Sequence, residues 1–282
     1  MKIGIVDMGG GYRGIYAAGV LDYCMDKGIR FDLGIGVSAG SCNLISFAAN
    51  QPRRNLQFYS EYGLRKESAG AKLFFHKNTF LDLDYLYSTL SNHDGENPLD
   101  YEALMRSPME YYAVAVDAHS GETRYFSKKD IAQDDYNVLK ASCAMPFFCH
   151  PYTVKDRLYY DGALGDPIPV QKAFELGCDR VIVLLSKPSS FRRTADRDLK
   201  MALLIEREFP KAAERIRHRA ELYNQELGLA QLYQRQGRAL IVAPDDTCGC
   251  DTLTRDQGAL RSFYDKGYAD GIKIENFLKT LK

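Results

Sequence analysis

The sequence predicts an α/β fold: a three-layer α/β/α sandwich around a mostly parallel central sheet. Three observations predict it. Short apolar runs rich in Val and Ile recur along the chain, at Lys2–Val6, Phe31–Val37, Tyr111–Asp117 and Arg180–Leu185. Helical patterns stand between them, and strand–helix–strand alternation builds a parallel sheet through right-handed crossovers. Apolar residues make up 45% of the 282 positions, enough to bury both faces of such a sheet.

Taken in order, Lys2–Val6 reads as a buried strand. Gly14 to about Lys27 reads as a helix with Ile15, Ala18, Val20, Leu21 and Cys24 near one face, and Gly28 is placed to end it. Phe31–Val37 is a second strand, followed by a small-residue helix from Ala39 to about Ala49 with Pro52 just beyond it. Arg53–Ser107 has no clean period; it reads as helices and loops covering the sheet edge. Tyr111–Asp117 and Arg124–Ser127 are strands joined by a turn, and Asn137–Cys143 is a helix that stops before Pro146. Leu158–Tyr160 is a strand end before Asp161-Gly162, Pro167–Leu176 a helix, and Arg180–Leu185 a deeply buried strand. Arg197–Gln236 is charged and helical, interrupted near Pro210; Ala239–Ala243 is a last strand and Phe263–Leu281 a final helix. With no repeat or linker, one domain over residues 1–282 is expected, with helical insertion or lid segments near 53–107 and 197–236.

Lys plus Arg and Asp plus Glu both number 37, which gives no electrostatic case for nucleic acid. No run approaches the roughly 18 apolar residues of a membrane span, and no secretory pattern opens the chain. The seven cysteines are an odd number, which with the large core predicts reduced thiols and a cytoplasmic location. Cys248 and Cys250 stand two apart, but no second Cys/His pair completes about four zinc ligands, so no metal is expected.

Gly9, Gly11 and Gly14 fit G-x-G-x-x-G, the dinucleotide-binding pattern. That pattern also needs an acid at the end of the second strand. Asp32 has the spacing but stands near the start of Phe31–Val37, at the wrong end. The right end carries Gly36-Val37-Ser38-Ala39-Gly40, a G-x-S-x-G between strand and helix. A serine on so tight a turn has its hydroxyl thrust above the sheet. Gly36 and Gly40 remove side chains that would clash, and the following helix N-terminus favours an oxyanion. The two loops follow neighbouring strands and are expected to face each other. The Gly10 and Gly11 amides can then point at an oxyanion formed on Ser38, helped by Ala39. Arg13 reads equally as a brace for the loop or as a solvated charge.

A serine needs a base. His218 sits in a charged helical run, His150 has no partner motif, and His76, His93 and His119 precede the acidic candidates. Asp161-Gly162-Ala163 suits a carboxylate at a tight turn, and desolvation can raise a carboxylate toward a useful basicity. Alone it would read as a reverse turn.

Together these segments resemble the patatin-like phospholipases, serine acyl hydrolases with a Ser–Asp dyad and no catalytic histidine. Gly9-Gly10-Gly11-Tyr12-Arg13-Gly14 is similar to the family's oxyanion loop, and Gly36–Gly40 to its nucleophile elbow. Ala141-Ser142-Cys143-Ala144-Met145-Pro146 is similar to its A-S-x-A-x-P segment, and Asp161-Gly162-Ala163 to its D-G-[GA] motif. Asp166 departs from the family's frequent asparagine. The resemblance covers roughly residues 2–186. It implies catalytic Ser38 and Asp161, an oxyanion hole from Gly10, Gly11 and Ala39, no cofactor, and lipid acyl esters as substrates. The rival readings are a nucleotide-dependent oxidoreductase using the Gly9–Gly14 loop and a non-catalytic lipid-binding relative. Met201–Ile205, beside Arg192, Arg193 and Lys200, suggests transient membrane-surface contact; a plain packed helix explains it as well.

Overall fold

The computed structural model describes residues 1–70 and 79–281. His76 lies outside the described residues. Eight strands form one sheet: β1 (Ile3–Asp7), β2 (Leu33–Val37), β3 (Glu110–Asp117), β4 (Thr123–Ser127), β5 (Tyr152–Val154), β6 (Arg157–Asp161), β7 (Arg180–Leu184) and β8 (Ala239–Val242). Their order is β5-β6-β3-β2-β1-β7-β8, with β4 paired to β3. The pairs β3–β2, β2–β1, β1–β7 and β7–β8 are parallel, so the carboxyl ends of five strands share one edge of the sheet.

Alternation along each strand decides which layer a side chain enters. Ile5, Ile182 and Leu184 pack with α1 (Ile15–Asp26), α2 (Ala39–Ala48) and α9 (Gln257–Asp270). Val6, Val181 and Val183 pack on the other face with α6 (Val170–Glu175) and the C-terminal half of α8 (Pro210–Arg235). The three layers predicted from sequence are therefore present.

Several boundaries differ from expectation. In the described part of Arg53–Ser107, α3 (Arg54–Ser60) lies against α1 and α2, α4 (Tyr101–Arg106) lies against α2, and Asp84 accepts from Tyr152 of the edge strand β5 at 3.3 Å. The second helix of the 197–236 stretch is a layer of the fold, with Ile216, Ala220, Leu227 and Ala230 buried; only α7 (Asp196–Ile205) is largely exposed. The final helix starts six residues early, where Asp256 caps α9 by accepting from the Ala259 N–H at 2.9 Å. It then breaks at Gly271, which separates α9 from α10 (Ile272–Lys279) and packs against the Tyr23 ring. β5 was not anticipated; it pairs antiparallel with β6.

The register around β3 matters most. Val116 pairs with Thr123 of β4 and Tyr160 of β6, so those strands occupy opposite edges of β3. Tyr112 pairs with Ile35 of β2 and Ser127 of β4, so β2 and β6 share an edge. β2 ends with Val37 opposite Val114, and β6 takes over with Asp161 opposite Ala115. The residue after Val37 is Ser38. The antiparallel entry of β6 thus brings the two candidate residues to one point of the sheet.

Candidate active site

Ser38 sits at φ 55°, ψ −132°, a conformation that costs a non-glycine residue of order 1–3 kcal/mol. Its neighbours hold it there. The Ser41 N–H and Oγ donate to the Ser38 carbonyl at 2.9 and 2.7 Å, and the Ser38 N–H donates to the buried Ser142 Oγ at 3.1 Å. A side chain at Gly36 would meet the Ser41 backbone at 2.3 Å, and one at Gly40 the Asp7 carbonyl at 2.2 Å. Both glycines of G-x-S-x-G are therefore steric requirements, and Ser142 anchors the turn from α5 (Asn137–Cys143) and the loop it opens.

The glycine loop closes over this turn. Gly9, Gly10 and Gly11 have φ of 66°, 121° and 62°, a run that favours glycine throughout. A Cβ on Gly9 would lie 2.2 Å from the Val37 carbonyl and 3.0 Å from the Ala39 nitrogen, so the two loops are in direct contact. Gly14 packs against Tyr59 and Ala39 in the same way. Asp7, at the end of β1, organises the junction: its carboxylate accepts from the Gly9 N–H and from Asn43 Nδ2 of α2, both at 2.9 Å. Burial pushes this carboxyl up to about 6. The Tyr12 N–H is used by the Thr252 carbonyl at 3.1 Å. Among the described residues, the Gly10 and Gly11 N–H groups have no acceptor.

Asp161 is 1% exposed. One carboxylate oxygen accepts from the Ala163 N–H at 2.8 Å, capping a short turn over Gly162–Leu164, and Asp161 and Ser38 line the same cavity. Gly162 permits this approach, since a Cβ there would meet the Val114 carbonyl at 2.3 Å. Burial raises the Asp161 carboxyl above the usual aspartate range; the charge of Arg219, the Ser38 hydroxyl and the Ala163 amide act against it.

All the sequence-predicted site residues gather here: Ser38, Asp161, Gly10, Gly11 and Ala39, with Gly9, Arg13, Gly14, Gly36, Gly40 and Gly162 around them. Arg13 is half-buried: Nη1 donates to Thr252 Oγ1 at 2.9 Å, tying the loop to that residue, and Nε is buried without a partner among the described residues. Among the described residues no histidine lines this site. His218 is 67% exposed and faces Glu221, and His93 pairs with Asp134. Asp32 accepts from the Ile3 N–H at 2.6 Å at the amino end of the strands, opposite to where a ribose would bind. Among the described residues no His/Cys/Asp/Glu cluster could hold a metal ion, and all seven cysteines are free thiols.

A cavity of about 750 Å³ opens beside Ser38 and Asp161. One side is apolar, built from Phe58, Leu83, Leu86, Tyr87 and Phe148. Arg219 and Tyr223 of α8 belong to the other side. Sequence reading assigned neither, because α8 lies beyond every motif.

The sequence model of the family described as patatin-like phospholipase matches residues 8–174, and that of a domain of unknown function (DUF6363) matches residues 209–282. The chain is similar to the uncharacterized protein YjjU of Escherichia coli, with 31% identity over 198 residues, 68% of this chain and 54% of YjjU. It is also similar to the lysophospholipase NTE1 of Cryptococcus neoformans, with 24% identity over 185 residues, 65% of this chain and 11% of that protein. The chain thus spans about half or less of the length of these relatives. VipD from Legionella pneumophila aligns over 99% of this chain and 67% of its own, with 13% identity and a TM-score of 0.48.

Proposed function

The chain belongs to the patatin-like phospholipase family, and from that premise we propose that it is a serine acyl hydrolase of lipid esters working through Ser38 and Asp161. The observation that carries the reading is a serine held at positive φ on a strand-to-helix turn, with the buried carboxylate of Asp161 brought beside it by the register of β2 and β6 on β3 and both lining one cavity. The Ser38 hydroxyl attacks the ester carbonyl carbon as its proton passes to Asp161. The negative charge that develops on the carbonyl oxygen is met by the Gly10 and Gly11 amides and by Ala39 at the start of α2. Collapse expels the alcohol, which takes the proton back from Asp161 and leaves an acyl-serine. Water then attacks the acyl carbon; Asp161 accepts its proton and returns it to Ser38, releasing the acid.

The apolar side of the cavity receives the acyl chain. No helix among the described residues is long and apolar enough to cross a membrane. Leu199, Leu203 and Leu204 of α7 are 48–68% exposed while Met201 of the same helix lines the cavity, which supports contact of this rim with a lipid surface. Seven free thiols support the reading of a reducing, cytoplasmic setting.

The test is hydrolysis of an ester series, from short acyl chains to phospholipid vesicles, by wild type beside Ser38→Ala and Asp161→Asn. Loss of at least about 10³-fold in both variants is expected, with fluorophosphonate labelling abolished in Ser38→Ala. Equal rates in wild type and Ser38→Ala sink the reading.

A further inference from the structure

The glycine loop is held by two distant parts of the chain. Three successive glycines at positive φ have no side chains to lock their own geometry, so the surroundings must set the loop. Its first end is fixed by Asp7, which accepts from the Gly9 N–H. Its other end rests on Thr252, in the loop between β8 and α9. The Thr252 carbonyl accepts from the Tyr12 N–H at 3.1 Å, and Thr252 Oγ1 accepts from Arg13 Nη1 at 2.9 Å. A Cβ on Gly11 would lie 2.4 Å from the same carbonyl and 2.8 Å from Thr252 Cγ2. One residue therefore meets Gly11, Tyr12 and Arg13 in succession, directly after Gly10.

Thr252 is presented by a braced turn. Asp251 Oδ1 accepts from the Leu253 N–H at 2.7 Å, and Thr254 Oγ1 accepts from the Asp251 N–H at 2.6 Å. Arg255 ties the turn to a third segment: Nη1 donates to the Ala69 carbonyl at 3.1 Å, and Nη2 donates to the Arg65 carbonyl at 3.0 Å and to the Leu64 carbonyl. Beyond it α9 packs backbone to backbone on α1, the helix into which the glycine loop runs. A Cβ on Gly19 would lie 2.2 Å from the Tyr264 carbonyl, and one on Gly267 would lie 2.0 Å from the Tyr16 carbonyl. Each loop thus leads into one of two helices in close contact, and that contact sets where Thr252 meets the glycine turn. Thr252 itself is exposed and lines the cavity that Ser38 lines, so it has no share in core packing. The turn and α9 lie within residues 209–282, the part matched by the domain of unknown function and outside the patatin-like match.

We propose that the 209–282 segment supplies the seat of the oxyanion loop, with Thr252 as the positioning residue that keeps the Gly10 and Gly11 amides turned toward the reacting carbonyl. The proposal rests on the hydrolase reading for its catalytic consequence, and amide exchange in the whole protein separates the two. Thr252→Gly removes the hydroxyl and the methyl and frees the backbone that presents the carbonyl; Thr252→Ser keeps the hydroxyl. Hydrogen exchange of the Tyr12 amide, read by NMR without substrate, is expected to quicken at least about 10-fold in Thr252→Gly and to stay within about 2-fold of wild type in Thr252→Ser. Unchanged exchange in Thr252→Gly overturns the seat. In turnover, Thr252→Gly is expected to lower kcat about 10-fold with KM held within about 2-fold, because misplaced amides cost the transition state and not the bound ester. Thr252→Ser is expected to restore most of that loss. The decisive readout is the ratio of kcat/KM for a p-nitrophenyl ester to that for its thionoester, whose sulfur is a poorer acceptor for amide N–H groups. A displaced oxyanion loop penalises the oxygen ester more, so the ratio should fall about 5-fold in Thr252→Gly, whereas a merely structural loss lowers both rates alike. An unchanged ratio alongside faster exchange overturns the positioning role and leaves Thr252 a structural brace. If wild type turns over neither ester and fluorophosphonate leaves Ser38 unlabelled, the hydrolase reading fails while the Tyr12 exchange still decides the seat.

Discussion

Replacing Glu226 by glutamine is expected to stabilise the protein at pH 8 and to change little at pH 5. Asp166 follows the Asp161 turn, and its carboxyl and that of Glu226 on α8 act on each other's ionisation. Tyr125 donates to Asp166, and the Ile168 N–H donates to Glu226 at 2.6 Å. Two carboxyls this close in a largely dry site cannot both ionise, so burial and the Asp166 charge hold Glu226 protonated well above the usual glutamate range. The sign follows from linkage. Above a pH of about 4.5 the unfolded chain releases this proton and the folded chain keeps it, so stability falls as pH rises. Holding a glutamate protonated costs roughly 1 kcal/mol at pH 5 and roughly 5 kcal/mol at pH 8, a ceiling of about 4 kcal/mol across the interval. Both carboxyls are partly exposed, and water takes up part of this, so about 2 kcal/mol is the working expectation. Glutamine keeps both contacts, with its oxygen toward Ile168 and its amide toward Asp166, and carries no proton to hold. The chain has no Trp, so urea unfolding is followed by far-UV circular dichroism at pH 5, 6, 7 and 8. The difference between variant and wild type removes the titrations outside the Asp166–Glu226 pair. A difference flat within about 0.5 kcal/mol refutes the shared proton.

Four further outcomes are expected. Gly40→Ala places a methyl 2.2 Å from the Asp7 carbonyl, so the turn must shift; a loss of about 2–3 kcal/mol in urea midpoints and about 100-fold in kcat should result. Ser142→Ala leaves the Ser38 N–H without its acceptor, which should cost about 1–2 kcal/mol of stability and lower kcat while KM holds. Arg219→Met removes the charge that most opposes the rise of the Asp161 carboxyl; the acid limb of the kcat/KM profile should move to higher pH, and an unmoved limb separates Arg219 from the dyad. Leu86→Trp fills the apolar lobe and should depress turnover of long acyl chains more than of short ones, measured as the ratio of their kcat/KM values.

Residues whose constraint is local were legible in the sequence. Gly36 and Gly40 are dictated by contacts within the same turn or with the adjacent strand, and such sterics leave only glycine, so a pattern of five residues carries the information. Asp161-Gly162 is fixed in the same way by its own turn and by the Val114 carbonyl. That the pair meets Ser38 is implied only by the family resemblance and not by local pattern, because it depends on β6 running antiparallel along β3 from the point where β2 stops. Arg219 and Tyr223 stayed hidden for a different reason. In RIRHRAELY the charges suggest a solvated face, yet Ile216, Ala220, Tyr223, Leu227 and Ala230 recur at spacings of four and three, a buried stripe. Arg219 stands three after Ile216 and four before Tyr223, so it shares that stripe, whereas His218 beside it turns outward. A cation on the apolar face of an amphipathic helix needs a reason to be there. Here the reason is two carboxylates from other parts of the chain, Asp161 and Asp198, whose fields Arg219 feels together. Read that way, the stripe gives a signal for the site's second half that no motif carries: a charge out of phase with its surroundings marks where the fold brings distant acids together.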